Sequence, residues 1–218
     1  MKQKTLLVGT ARLWTIQPLD VWEKLQAEGE LYVDSNHTEL FDGGSRSFQE
    51  AYDWMREQMA KRTVGYGGRY PWWAFTQRPG MRKNKRAWGR LGQKYARLEL
   101  AVAQDRVLLS ARGPWCDVLC YNYLPPNWGH FETWEVGFDS WRAELAAHGL
   151  ARCIDADLPE PWRGRVIASW EQIFDVEQLR QDTTVQATFE RLALADVLDV
   201  RIFKSRHRVY VRPSKQTP

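Results

Sequence analysis

The stretch from Arg12 to Asp34, RLWTIQPLDVWEKLQAEGELYVD, decides the first piece of the fold. Up to Gln17 it reads as a short strand, with aromatic and β-branched residues, and Pro18 closes it. Proline suits the first turn of a helix, where its missing N–H costs nothing. Val21, Trp22 and Leu25 then share one helical face, and Asp20 and Glu23 suit the positive N-terminal end. Gly29 stops the helix and ELYV resumes as a strand. Alternation puts Leu13, Thr15 and Gln17 on one face of the first strand and Trp14 and Ile16 on the other. A strand that only fills a core needs neither Thr15 nor Gln17, so these two face either water or a ligand.

Outward from this unit, Ser47-Phe-Gln-Glu50 has the capping-box pattern and predicts a helix from about Ser47, with Ala51, Tyr52, Met55 and Met59 as its apolar stripe. GYGG ends it, and YPWWAF reads as a strand from about Tyr70. ARLELAVAQDRVLLS predicts two strands, or one interrupted strand, around a turn at Gln104-Asp105, and GPWCDVLCYNYLPP a short helix closed by two prolines. FDSWRAELAAHGL is an amphipathic helix ending at Gly149, and PWRGRVIASWEQIFD another, weakened by Gly164. TVQATFERL alternates as a strand with Gln186, Thr188 and Glu190 on one face. ALADVLDV predicts a turn, and VRIFK with HRVYVRP a closing hairpin. Short strands separated by helices give an α+β chain, read as a single domain over 1–218.

The chain has 218 residues, 44% hydrophobic and 27% charged, enough to bury a core without covalent staples. Twelve tryptophans are many for this length and are expected in the core or lining a cleft. The net charge of +4 is unevenly placed. Between Arg78 and Arg97 there is no acid, while Arg78, Arg82, Lys83, Lys85, Arg86, Arg90, Lys94 and Arg97 are basic and interleave with Trp88 and Tyr95. That mixture grips phosphates and stacks on bases, so the segment 78–97, expected to be mobile, is assigned to a nucleic-acid or acidic protein acceptor through Lys83, Lys85, Arg86, Arg90 and Lys94. The plain alternative is a solvated loop. Arg201, Lys204, Arg206, His207 and Arg208 would add to such a face if they lie close in space.

Three cysteines argue against a disulfide framework and for a reducing, cytoplasmic setting. No apolar run is long enough for a membrane span. Cys116-x-x-x-Cys120 lacks a second pair of ligands, so no metal is assigned and a buried pair of free thiols is expected. Neither a nucleophile elbow nor a phosphate loop is present.

The motifs LWTIQPLDVWEKLQAEGEL, FQEAYDWMREQM, YPWWAF, RVLLS, SWEQIFD and VQATFERLALADVLDVRIFK resemble a family of uncharacterised bacterial proteins, from Arg12 to Lys204. More distantly, the aromatic strand with a polar tip, followed by helix, glycine and short strand, resembles the start of an ADP-ribosyltransferase fold of the DNA-targeting toxin type. That resemblance implies an ADP-ribosyltransferase-like core of short strands with helices around it, and NAD as substrate. It implies that Thr15 and Gln17 hold the nucleotide, that Arg78 or Arg82 meets its phosphates, and that Tyr52 or Trp73 stacks on a ring. Glu190, with Gln186, takes the catalytic place in VQATFERL, and the implied setting is a toxin or antiphage effector. Where the fold usually presents its glutamate, this chain has Gln186 and Thr188, and a glutamine cannot supply the negative charge that stabilises the cation left by departing nicotinamide. A noncatalytic nucleotide- or nucleic-acid-binding module and a protein-interaction scaffold are the alternatives.

Overall fold

The computed structural model describes residues 9–33, 46–78, 92–126, 131–151, 157–175 and 185–205. Strand β1 (Thr10–Pro18) runs into helix α1 (Leu19–Glu28) and strand β2 (Glu30–Tyr32). Leu25 is fully buried on α1, and Gly29, at φ +80°, turns the chain so that its N–H donates to the Leu25 carbonyl over 2.9 Å. A residue with a Cβ resists that conformation, which is why a glycine ends this helix.

Helix α2 (Arg46–Arg62) starts one residue before Ser47, so Ser47 lies inside its first turn. Next come β3 (Trp72–Phe75), β4 (Lys94–Ala103), β5 (Leu108–Ala111) and helices α3 (Arg112–Leu119), α4 (Phe131–Ala147) and α5 (Trp162–Ser169). Strands β6 (Val185–Phe189), β7 (Arg191–Ala193) and β8 (Val197–Lys204) close the described chain. One six-stranded sheet has the order β5-β6-β3-β1-β4-β8, and β2 pairs with β7 in a two-stranded ribbon. Neighbours in both sheets are antiparallel, so the chain is a mixed α and β protein built on an antiparallel sheet.

Strands β4 and β5 flank the expected turn at Gln104-Asp105 without pairing with each other; β4 lies between β1 and β8, while β5 joins β6 on the far edge. One expectation about the elements needs correction. The turn expected across ALADVLDV spans only Leu194–Asp196, and Val197 already belongs to β8. β8 pairs back onto β4, and the expected second arm, HRVYVRP, lies outside the described residues.

The sheet divides two cores. On one side Leu13, Leu98, Leu100, Ala74, Ala187 and Phe189 pack with Leu25 of α1 and with Leu31 and Leu192 of the ribbon. On the other, Leu108 and the half-buried Trp73 meet the helical layer, in which Met55, Met59, Trp115, Tyr121 and Trp170 are buried. Aromatic rings dominate this second core and meet mostly edge to face, as between Trp54 and Trp170 or Tyr121 and Trp170. Their polar ends are satisfied where the helices meet: the Trp170 indole donates to the Asn122 carbonyl over 2.9 Å. The Tyr121 hydroxyl accepts from Arg163 Nε over 2.9 Å, and Arg163 also pairs with Glu50. Cys116 and Cys120 are free thiols but exposed, because α3 turns Pro114, Trp115 and Val118 inward instead.

Candidate functional site

β1 pairs with β4 along its whole length, from Thr10 opposite Ala103 to Pro18 opposite Tyr95. With β3, among the described residues, it pairs only at Trp14 opposite Phe75. Beyond that point the two strands diverge, and a cleft of about 390 Å³ opens between their edges. Consecutive residues line it from both strands, Thr15 to Gln17 and Pro71 to Phe75, as expected of a gap between edges rather than a pocket over one sheet face. α2 supplies Tyr52, α3 supplies Arg112 and Trp115, and β6 supplies Gln186.

Thr15 stands where the gap begins. It is buried, and its hydroxyl donates to the Trp73 carbonyl over 2.9 Å, taking the place of the main-chain bond the diverging strands no longer make. Gln17 Nε2 donates in turn to Thr15 Oγ1 over 2.7 Å, which holds its amide at the cleft wall. The polar faces of β1 and β6 do not lie on one side of the sheet. Pairing puts Gln186 on the face of Phe75 and Trp14, whereas Thr15 and Gln17 lie on the opposite face, with Leu98 and Ala96. The two sets reach one cleft because the sheet is split there.

The inner wall is aromatic. Tyr52 meets Trp73 and Trp115 edge to face at 6.1 and 5.7 Å between ring centroids, and Trp73 lies against Trp115 at 4.8 Å. Burial pushes the Tyr52 phenol up to about 12, slightly opposed by the nearby Trp73 indole, so it is a neutral hydroxyl at physiological pH. The Trp73 indole nitrogen is buried and, among the described residues, makes no hydrogen bond of normal geometry. Gln186 is also buried, and its amide meets Ser110 Oγ only at 3.4 Å, leaving it weakly engaged.

Arg112 brings positive charge to the mouth. It is the first residue of α3, is exposed, and lies over the Phe75 ring at 5.4 Å. Ala111 in the capping position has no side-chain acceptor for the first turn, so the amide end of α3 is uncapped by a side chain. Together the walls can hold an aromatic ring, hydrogen-bond its polar edge through Gln17 and Gln186, and attract an anion at Arg112.

Five of the residues singled out in the sequence therefore line this cleft: Thr15, Gln17, Tyr52, Trp73 and Gln186. Glu190 does not. β6 ends at Phe189, the chain bends at Glu190, and the alternation that would align Glu190 with Gln186 is broken. Its carboxylate accepts the Gly67 N–H at 2.8 and 3.0 Å and the Arg69 N–H at 2.8 Å, clasping the GYGGRY turn. It borders a separate cavity of about 370 Å³ with Tyr66, Asp105, Arg106 and Arg191. Thr188 is buried and donates to the Leu108 carbonyl over 3.2 Å. Arg78 is exposed just after β3 and does not line the cleft. Arg82, Lys83, Lys85, Arg86 and Arg90 lie outside the described residues, and Lys94 is exposed at the start of β4, opposite Lys204.

The sequence reading missed Arg112, Phe75 and Trp115. Arg112 carried one legible signal, a strand passing directly into a helix at ARGPW with proline inside its first turn, the kind of junction that presents amides to an anion. Among the described residues no cluster of three or more histidine, cysteine, aspartate or glutamate side chains could hold a metal, and no helix is long and apolar enough to cross a membrane.

Comparison with known families matches residues 12–197 to the model of a domain of unknown function, DUF3841. The chain belongs to this family. The match begins at the first residue of the RLWTIQ strand segment and extends through β6 and β7, so the family spans every element of the cleft. No curated protein matches the chain, and no solved structure does.

Proposed function

We propose that the cleft between β1 and β3 binds a nucleotide, with NAD the first to test, and that the chain acts as a nucleotide-binding module of ADP-ribosyltransferase-like build. One observation carries the reading: Thr15, Gln17, Tyr52 and Trp73, chosen for nucleotide binding in the sequence, line one cleft together with Gln186, given a catalytic place there, and with Arg112. The ring of the nucleotide stacks in the wall of Trp73, Trp115 and Phe75. Gln17 and Gln186 exchange hydrogen bonds with its amide or ring edge, and Arg112 meets a phosphate. Arg112 thus takes the part that the sequence assigned to Arg78 or Arg82.

Binding is favoured over transfer by the absence of a carboxylate from the lining of this cleft among the described residues, Glu190 being held at the GYGGRY turn. Departure of nicotinamide leaves positive charge on the ribose, and an uncharged glutamine stabilises that charge poorly. The test is a thermal-shift and calorimetric titration of the full chain with NAD, ADP and ATP. A nucleotide that raises the melting temperature, and whose affinity falls about tenfold in Arg112→Ala, the loss of one charge-assisted contact, is the expected result. No shift with any nucleotide would sink the proposal. Labelled NAD with protein, DNA and RNA acceptors then separates transfer from binding.

A further inference from the structure

Away from the cleft, the face that β4 and β8 turn to the Trp14 side of the sheet carries a second, different arrangement. Arg97 stands directly opposite Arg201, and the next pair on the same face is Tyr95 opposite Phe203. The Tyr95 and Phe203 rings stack at 6.0 Å with 29° between their planes. Arg97 is only 2% exposed, yet its Nε and Nη2 have no hydrogen-bond partner among the described residues. Glu99, one step along on the same face, is already engaged by Arg12 and by the Trp14 indole. Asp199, opposite Glu99, reaches Arg201 Nε at 3.5 Å rather than Arg97.

A buried guanidinium without partners is costly, and sequences retain such a charge where something compensates it. Here the neighbours add to the cost. Burial, then the like charges of Arg78 and Arg201, push the Arg97 pKa down, while Asp199 and Glu99 act in the opposite direction. What Arg97 lacks is an anion. The aromatic pair indicates which anion, because one strand step separates it from the arginine pair, about 7 Å along the sheet. Positive charge alternating with stacked rings is how single-stranded nucleic acid is held without regard to sequence.

We propose that this face binds single-stranded nucleic acid along its exposed edge, a backbone phosphate held by the exposed Arg201 beside the buried Arg97 and a base stacking on the half-buried Phe203, which the buried Tyr95 backs. The proposal is independent of what occupies the cleft. It is tested by fluorescence anisotropy of the full chain with labelled oligo-dT and oligo-U of about twelve nucleotides, a length that spans a typical single-strand site. Duplex DNA and inorganic phosphate serve as competitors. Binding is expected to fall steeply with salt, and Arg201→Ala, at an exposed position, to lower the salt slope by about 1. Phe203→Ala is expected to weaken binding about tenfold at every salt concentration, as loss of one stacking contact does. Arg97→Met is the decisive variant: it should keep or raise the melting temperature while losing affinity, whereas a merely structural arginine would lose stability and leave affinity alone. The proposal is overturned if the wild-type chain binds neither oligonucleotide, if inorganic phosphate binds but oligonucleotides do not, or if Arg97→Met and Arg201→Ala bind as the wild type does.

Discussion

Two cavities of nearly equal size differ in what their polar groups are doing. Beside Glu190, about 370 Å³ is bordered by a carboxylate whose oxygens are taken up by the amides of Gly67 and Arg69. Between β1 and β3, about 390 Å³ is bordered by groups with capacity to spare: the Gln186 amide at a long 3.4 Å and Arg112 at the mouth. Volume does not tell these cavities apart, but hydrogen-bond saturation does. A saturated carboxylate holds a turn in place, whereas unsaturated groups around aromatic rings favour a ligand.

The largest effect that would sharpen this contrast is at the clasp. Glu190→Ala should cost about 2 kcal/mol in urea unfolding, the range for hydrogen bonds to a charged acceptor, and leave nucleotide affinity within about twofold. Lost affinity with unchanged stability would break the comparison and return Glu190 to the ligand. Alkaline stability comes next. The Tyr52 phenol ordinarily titrates near 10 but in the fold only at about 12, so between those values the unfolded chain sheds a proton that the folded chain keeps. Stability should therefore fall as pH rises through that window, by up to about 2 kcal/mol, and Tyr52→Phe should remove that part of the fall. Denaturant melts at several alkaline pH values measure it.

Thr15→Val keeps the side-chain shape and removes the hydroxyl that bridges the gap to the Trp73 carbonyl. It should cost about 1 kcal/mol and release the Gln17 amide, weakening nucleotide binding as well. A stability loss without any change in binding would mark Thr15 as purely a clasp. Arg112→Ala should change stability by less than about 0.5 kcal/mol, since Arg112 is an exposed residue lying over one ring, and act almost wholly on affinity.

Local signals made the first unit legible: Pro18, the apolar face containing Leu25, and Gly29 each act on neighbours in the chain. The polar tip of β1 was legible for the same reason, since Thr15 and Gln17 violate the composition of a core strand. What stayed hidden was set by distant partners. That β1 lies between β3 and β4, and parts from β3 after one pair, depends on residues about 60 and 85 positions away. Arg112 was hidden because a lone arginine at a helix start is ordinary until β3 and β6 are placed beside it. Glu190 misled because period-2 alternation was carried one residue too far; the bend after Phe189 re-aims the side chain, and nothing in ATFERL announces that bend.

The split between β1 and β3 also has a consequence for cooperativity. The strands β5, β6 and β3 and the strands β1, β4 and β8 meet where Trp14 faces Phe75, a narrow seam through an otherwise continuous sheet. Amide exchange should report it as a fault line, with protection high along β1 and β4 and falling in β3 beside the gap. A molecule bound in the gap touches both sides of that line, so it would do more than add its own binding energy. It would couple the opening of one half of the sheet to that of the other, and two unfolding units would report as one.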